Sequence, residues 1–395
     1  VKLLILSNYF TPDLSAGSFR MQALVDALEP WSRQGLAVDL MTTRPNRYAS
    51  LRSEAPAFED RGWLKVHRIE IPSHKGGMGD QALAYIGYAQ GVWKRTRLQK
   101  WDAVFATSSR LMTATLGAYV SREMDVPLYL DIRDIFTDNM DELLAGSPIK
   151  CLMPFFRIAE RNAFRRASHI NVVSRGFASH IRSIAPKAHL RILTNGIDDI
   201  FLKTDFKKSE KYEVEPLILY AGNMGEGQGL HKIVPKVAKK LQGKACFRLI
   251  GDGGRKAALE AEISAGKMQN VELMAPVPRN SLLKHYREAD ILFLHLNDLK
   301  AFRKVLPSKI FEYAATGRPI LAGVTGYAAE FLGEHLPDAA VFDPLDVDAM
   351  VEAIDRLIVG PSDFDRSRFC DLFARDRIMQ DLAYDIINVL SEVPR

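Results

Sequence analysis

Short apolar runs alternate along the chain with longer amphipathic stretches, and turns rich in glycine or proline separate them. Leu3 to Leu6 reads as a first strand. The loop SNYFTPDLSAGSFR then leads into an amphipathic helix from about Ser18 to Leu28. LAVDLMTT and WLKVHRIEI read as strands, and the polar stretch between them has no clear period. After the glycine-rich SHKGGMGD comes an apolar helix from Ala82 to about Leu98. WDAVFATSS is a strand ending in small polar residues, and LMTATLGAYVSREM is a helix. VPLYLDIRD is a strand whose carboxyl end carries Asp131, Arg133 and Asp134. A basic amphipathic helix at 150–168, the strand HINVVS and a helix starting near Arg175 complete the first half.

The pattern then lapses. Asn195-Gly196 is a turn signal, and the charged run after it has no period. It restarts at PLILYAGNMGEGQGL as a strand, a turn with Gly222, Gly225, Gly227 and Gly229, and a helix. CFRLIGDGG is a strand ending at Gly251, Asp252 and Gly253. VELMAPVPRNSLLKHYREAD gives a short strand, a proline loop and a helix, and ILFLHLND is a wholly apolar strand. AAVFDPLDVDAMVEAIDRLI adds a strand, an Asp/Pro loop and a helix, and the tail from about Arg366 to Val393 reads as amphipathic helix. Two β-α-β series in tandem predict the α/β class: two Rossmann-like domains facing a central cleft that holds a ligand.

Length agrees, since 395 residues exceed one usual core. A formal charge of +5 favours anionic partners such as nucleotides or an acidic membrane surface. It is too weak to argue for nucleic acid, and no nucleic-acid motif is present. Cys151, Cys246 and Cys370 are too scattered for a disulfide framework or a metal site, which fits a reducing compartment. No apolar run approaches the roughly 20 residues of a membrane span. VKLLIL is followed at once by Ser7-Asn8-Tyr9 and reads as a buried strand, not a signal peptide.

Candidate chemistry gathers between Lys300 and Glu330. Lys300, Arg303, Lys304 and Lys309 cluster there; Ser308 is the expected N-cap of a short helix, Glu312 lies about one turn inside it, and Gly317 ends it. Lysines beside a helix N-terminus make a seat for a diphosphate, and the carboxylate could accept from a ribose diol. An ordinary surface helix with solvated lysines explains the same residues. The Arg133/Asp134 pair could equally be an internal salt bridge. In the basic helix, Arg157, Arg161 and Arg165 share one face at i, i+4, i+8, with Phe155, Phe156 and Phe164 supplying exposed or half-buried aromatics. That suits anionic lipid, or a helix packed on the sheet with a solvated arginine face. Neither glycine turn has G-x-G-x-x-G, so a dinucleotide enzyme is not supported.

In order, TNGID, YAGNMGEGQGL, LIGDGG, the VP loop and PSKIFEYAATGRPILAGVTGYAAE resemble the family 4 glycosyltransferases of GT-B fold. YFTPDLSAGSFR, ATSS and LDIRDIFTDN look like the subgroup of WbuB-type transferases of surface polysaccharide synthesis. The resemblance implies an acceptor domain, 1–195, joined by returning C-terminal helices at about 370–395, and a donor domain, 196–369, with closure hinging near 194–214. It implies a nucleotide-sugar donor, UDP-linked, and transfer of a hexosyl or N-acetylhexosaminyl group with retention, without metal or other cofactor. The acceptor would be a glycan or a polyprenyl-diphosphate-linked sugar. The protein would be cytoplasmic, peripheral on the inner face of the cell membrane, with an anionic membrane surface as a candidate partner. Glu312 matches the second glutamate of E-x7-E, which binds ribose; Val277 lies in the loop that reads the base; Gly17 falls where the first domain meets the diphosphate. Gly222, Gly251 and Ser308 complete the donor seat. Lys304 stands in place of the first glutamate, and Asn223 and Gln228 stand at or beside the usual Arg and Lys. Lys304 and Lys309 are therefore expected to take the diphosphate, and Arg133 and Asp134 to meet the acceptor or the reacting centre. A nucleotide-sugar epimerase of GT-B-like fold and a non-catalytic nucleotide-sugar-binding subunit remain alternatives.

Overall fold

The computed structural model describes residues 1–13, 15–45, 55–72, 78–108, 111–143, 148–206 and 215–391. Residues 207–214 of the expected hinge, and most of SHKGGMGD, lie outside them. The chain divides into two compact units, Val1–Asn195 with Arg375–Arg395, and Gly196–Ala374.

The first unit is built on eight strands: β1 (Lys2–Leu6), β2 (Ala37–Thr43), β3 (Phe58–Asp60), β4 (Leu64–Ile69), β5 (Ala103–Thr107), β6 (Leu128–Ile132), β7 (His169–Val172) and β8 (His189–Ile192). Their order is β3-β4-β2-β1-β5-β6-β7-β8. All neighbours are parallel except β3 and β4. β5 and β6 are buried at every position, as a parallel sheet covered on both faces requires. The edge strands β3 and β8 carry no such apolar run; pairing to their neighbours holds them. The first helix spans Ala16–Leu28, beginning two residues before the expected start at Ser18, and Ser15 caps it. The C-terminal helix, Arg375–Ser391, returns to pack on it. Arg191 ties that helix to β8 through Asp385 at 2.9 Å. Residues 370–374, expected with the first domain, pack with the second, where Phe369 and Phe373 join Phe311 and Phe331 in an aromatic cluster.

The second unit carries β9 (Leu217–Asn223), β10 (Cys246–Asp252), β11 (Val271–Met274), β12 (Ile291–His295), β13 (Ile320–Gly323) and β14 (Ala340–Phe342), ordered β11-β10-β9-β12-β13-β14 and wholly parallel. Ile233, Val234, Val237 and Ala238 of the Leu230–Lys240 helix bury one stripe against this sheet. Strand order reverses between β9 and β12, and in the first unit between β1 and β5. The carboxyl ends at such points are where open parallel sheets bind ligands.

At that end of the second unit two backbones nearly touch. Gly251 of β10 stands opposite Gly222 of β9, and both have φ of +151°. A carbon added to Gly251 would overlap the Gly222 carbonyl, and one on Gly253 would lie 2.6–2.7 Å from the Met224 backbone. Gly251→Ala should therefore lower stability by about 2 kcal/mol or more, read from urea unfolding of the full chain. A variant within about 0.5 kcal/mol of wild type would show that the strand ends separate freely.

Candidate active site

The loop after β9 is braced from within. Gln228 Oε1 accepts from Asn223 Nδ2 at 2.7 Å and from the Gly225 N–H at 3.2 Å. Asn223 and Gln228 thus come together with their facing polar atoms engaged on each other. The Tyr220 hydroxyl donates to the Asn223 carbonyl at 2.5 Å, and the Met224 N–H donates to the Asp252 carbonyl at 2.8 Å. Below the loop lies His295, 2 % exposed at the end of β12. Its Nδ1–H donates to the Gln228 carbonyl at 2.7 Å, and its Nε2 accepts from the Leu345 N–H at 3.1 Å. Burial pushes its pKa down to about 4, so it stays neutral.

Cations reach this loop from two directions. Lys309 lies across Gly222: any side chain there would strike its Nζ and Cε. The amine stands 5.6 Å from the centroid of the Tyr220 ring. Burial lowers the Lys309 pKa, and the charge of Glu312 opposes that. From the other side, Glu226 gathers Lys232 at 2.8 Å and Arg255 at 2.5 Å. Neither cation was singled out from the sequence, although Arg255 directly follows GDGG.

Glu312 projects from the Lys309–Ala314 helix and accepts from the buried Tyr286 hydroxyl at 3.1 Å. Arg279, immediately after the Pro276-Val277-Pro278 loop, pairs with Asp198 and lies 5.1 Å from the Phe201 ring centroid; burial lowers its pKa, and the charge of Glu312 opposes that in part. Arg279 and Tyr286 escaped the sequence reading because only the fold brings them to Glu312. Val277 is half-buried in its loop between β11 and the Arg279–Glu288 helix.

The expected Ser308 cap is not formed. Ser308 has helical backbone angles and no side-chain capping bond. The first turn tightens instead, with the N–H groups of Ile310 and Phe311 reaching the carbonyls of Pro307 and Ser308 at 3.2 Å. That helix has only six residues, so its dipole adds little beside the Lys309 charge. Lys304 closes the separate Lys300–Lys304 turn, half-buried.

The other expected residues lie in the first unit. Gly17 is in the first turn of its helix, and a carbon added to it would meet only Ser15 Oγ at 3.7 Å, so that side is open. Arg133 and Asp134 follow β6, Arg133 half-buried and Asp134 exposed. The Arg133 guanidinium donates to Asn195 Oδ1 at 3.1 Å. Asp131 is fully buried and engaged by Arg20 at 2.9 and 3.0 Å. In the basic helix, now Met153–Arg166, Phe155 and Ile158 are 61 % and 60 % exposed, but Phe164 is buried in the core and not at the surface.

Residues 20–196 match the family described as glycosyl transferase 4-like domain, and residues 215–359 the family described as glycosyl transferases group 1. Each match fills most of one unit. The chain has the two domains of a GT-B glycosyltransferase. The chain is 30 % identical over 149 residues to WcaI of Escherichia coli, named as a glycosyl transferase of colanic acid biosynthesis. That stretch spans 37 % of the chain and 36 % of WcaI, about a third of each. Sucrose-phosphate synthase from Thermosynechococcus elongatus shares the fold with TM-score 0.77 at 13 % identity, over 99 % of both chains. Anabaena HepE, solved with UDP-glucose, shares it with TM-score 0.63 at 15 % identity, over 99 % of this chain and 98 % of that one.

His295 gives the protein a readable pH dependence. Its ordinary pKa of 6.5 applies to the unfolded chain, whereas the folded value is about 4. Between those limits the unfolded state holds the extra proton, so stability declines as pH falls and is full above the upper limit. The loss should be on the order of 3 kcal/mol, and His295→Gln should flatten the curve of unfolding free energy against pH. An identical slope in the variant would show that His295 does not titrate between these limits.

Proposed function

We propose that this glycosyltransferase moves a hexosyl or N-acetylhexosaminyl group from a UDP-sugar to a glycan or polyprenyl-diphosphate-linked acceptor in surface polysaccharide synthesis, retaining anomeric configuration and using no metal. The carrying observation is the Lys309 amine lying on Gly222 at the point where strand order reverses, with Glu312 one turn further along the same helix. A diphosphate at the end of β9 would meet that amine where it is desolvated, and a preorganised cation is most effective there on a leaving group that gains negative charge. Glu312, braced by Tyr286, would accept from the ribose hydroxyls. The loop containing Val277 would read the base, Gly17 would serve the donor diphosphate, and Arg133 and Asp134 would serve the acceptor side. Lys304 would add long-range charge. HepE's UDP-glucose and the polysaccharide role in WcaI's name support the donor and pathway class. No helix among the described residues is long and apolar enough to cross a membrane. The exposed Phe155 and Ile158 beside Arg161 and Arg165 would meet an anionic inner membrane face.

Thermal stabilisation by UDP, GDP, ADP, NAD and UDP-sugars tests the donor class. UDP and one UDP-sugar should stabilise, and Lys309→Ala should weaken UDP at least about ten-fold, as expected for loss of a charge-assisted bond. Lys304→Ala should weaken it less. Unchanged UDP binding in both variants would remove the lysines from the site, and stabilisation by NAD alone would overturn the donor. Sugar release only with acceptor present supports transfer, whereas conversion of the donor without acceptor would make the protein an epimerase.

A further inference from the structure

Guanidinium groups gather around the buried Asp131 carboxylate of the first unit. Asp131 accepts from Arg20 at 2.9 and 3.0 Å and from Asn171 Nδ2 at 2.7 Å, so its carboxylate is engaged. Arg20 also donates to the carbonyls of Thr194 at 2.5 Å and Leu193 at 3.1 Å. Arg133, at the end of the same strand, finds a neutral acceptor in Asn195. Its other terminal nitrogen, Nη1, is buried and has no hydrogen-bond partner among the described residues. Arg375, 2 % exposed, adds a third guanidinium. The charges acting on Arg133 are Arg20, Asp131, Arg375 and the exposed Asp134. Arg133 thus feels two further guanidinium groups beside the Asp131 carboxylate, and its own Nη1 is unmatched among the described residues.

Guanidinium keeps its charge at neutral pH, and leaving a donor of a buried one unmatched is costly. Burial, then repulsion from Arg20, holds the Arg133 pKa at about 10, which still leaves it charged. An arginine fork matches a phosphate or carboxylate in two bonds. The location, just past the carboxyl end of β6, is where a parallel sheet presents its ligand. The backbone there is fixed, the Arg133 N–H donating to Ser108 Oγ at 3.2 Å.

We infer that Arg133 anchors an oxyanion subsite in the first unit, which receives a phosphate or carboxylate group carried by the sugar acceptor. The inference rests on the transferase reading above. A diphosphate on a lipid carrier and an acidic sugar in a growing glycan present the same chemistry to the arginine.

The test is thermal unfolding of the full chain, with saturating UDP to fill the donor site, titrated with pyrophosphate or with glucuronate. Wild type, Arg133→Met and Arg133→Lys are compared. One anion should raise the wild-type midpoint, and Arg133→Met should weaken its apparent affinity at least ten-fold while UDP affinity is unchanged. Arg133→Lys, which keeps the charge but not the fork, should fall between and serves if the methionine variant is unstable. Preference for pyrophosphate points to the lipid diphosphate, and preference for glucuronate to an acidic glycan. Equal anion responses in wild type and variants, or none in wild type, overturn the subsite. Failure of UDP to bind overturns the donor reading instead; the anion comparison is then made without UDP and judged on the same differences.

Discussion

Gly222 and Gly251 face each other at the ends of adjacent strands with no room for a side chain between them. Much at the rim of the second unit depends on that near-contact. It lets the loops after β9 and β10 interlock through Met224 and Asp252. It also leaves a groove over Gly222 that the Lys309 chain fills. Without it the lysine would have no bed, and its charge would sit in solvent, screened.

The first unit solves a different problem by different means. Its central strands β5 and β6 are buried at every position, yet β6 carries a carboxylate in the core. Burial alone would push the Asp131 pKa up, but Arg20 and the neighbouring hydrogen bonds outweigh burial and hold it below the usual carboxylate range. Arg20 reaches from the first helix to the segment after β8, so one ion pair ties three distant stretches together. Such pairs add little net stability over apolar packing, but breaking one strands a buried charge.

The elements most readable from sequence were those with a single dominant pattern. Both strand series of continuous apolar residues, and the long helices between them, follow from burial on two faces. β3 and β8 were not readable, because FED and HLRI gain their conformation from a neighbour and not from a period. The glycines, Lys309 and Glu312 announced themselves through residue type and spacing. The Ser308 cap misled because a serine after proline fits a cap, while the backbone closes the turn by itself. Phe164 misled because an aromatic beside arginines looks like surface until the helix phase is known. Arg255 and Arg279 sit directly after loops already singled out, whereas Lys232 and Tyr286 come to the rim through tertiary packing, for which no local pattern exists.

The bond between Asn223 and Gln228 makes the glycine loop a finished shape before any ligand arrives. Glycine-rich segments have the most backbone entropy to lose on ordering, and here much of that loss falls on folding and not on binding. Ligand association at this loop should accordingly resemble docking onto a rigid surface: a small change in heat capacity for its area, and a rate set by diffusion and charge more than by loop rearrangement.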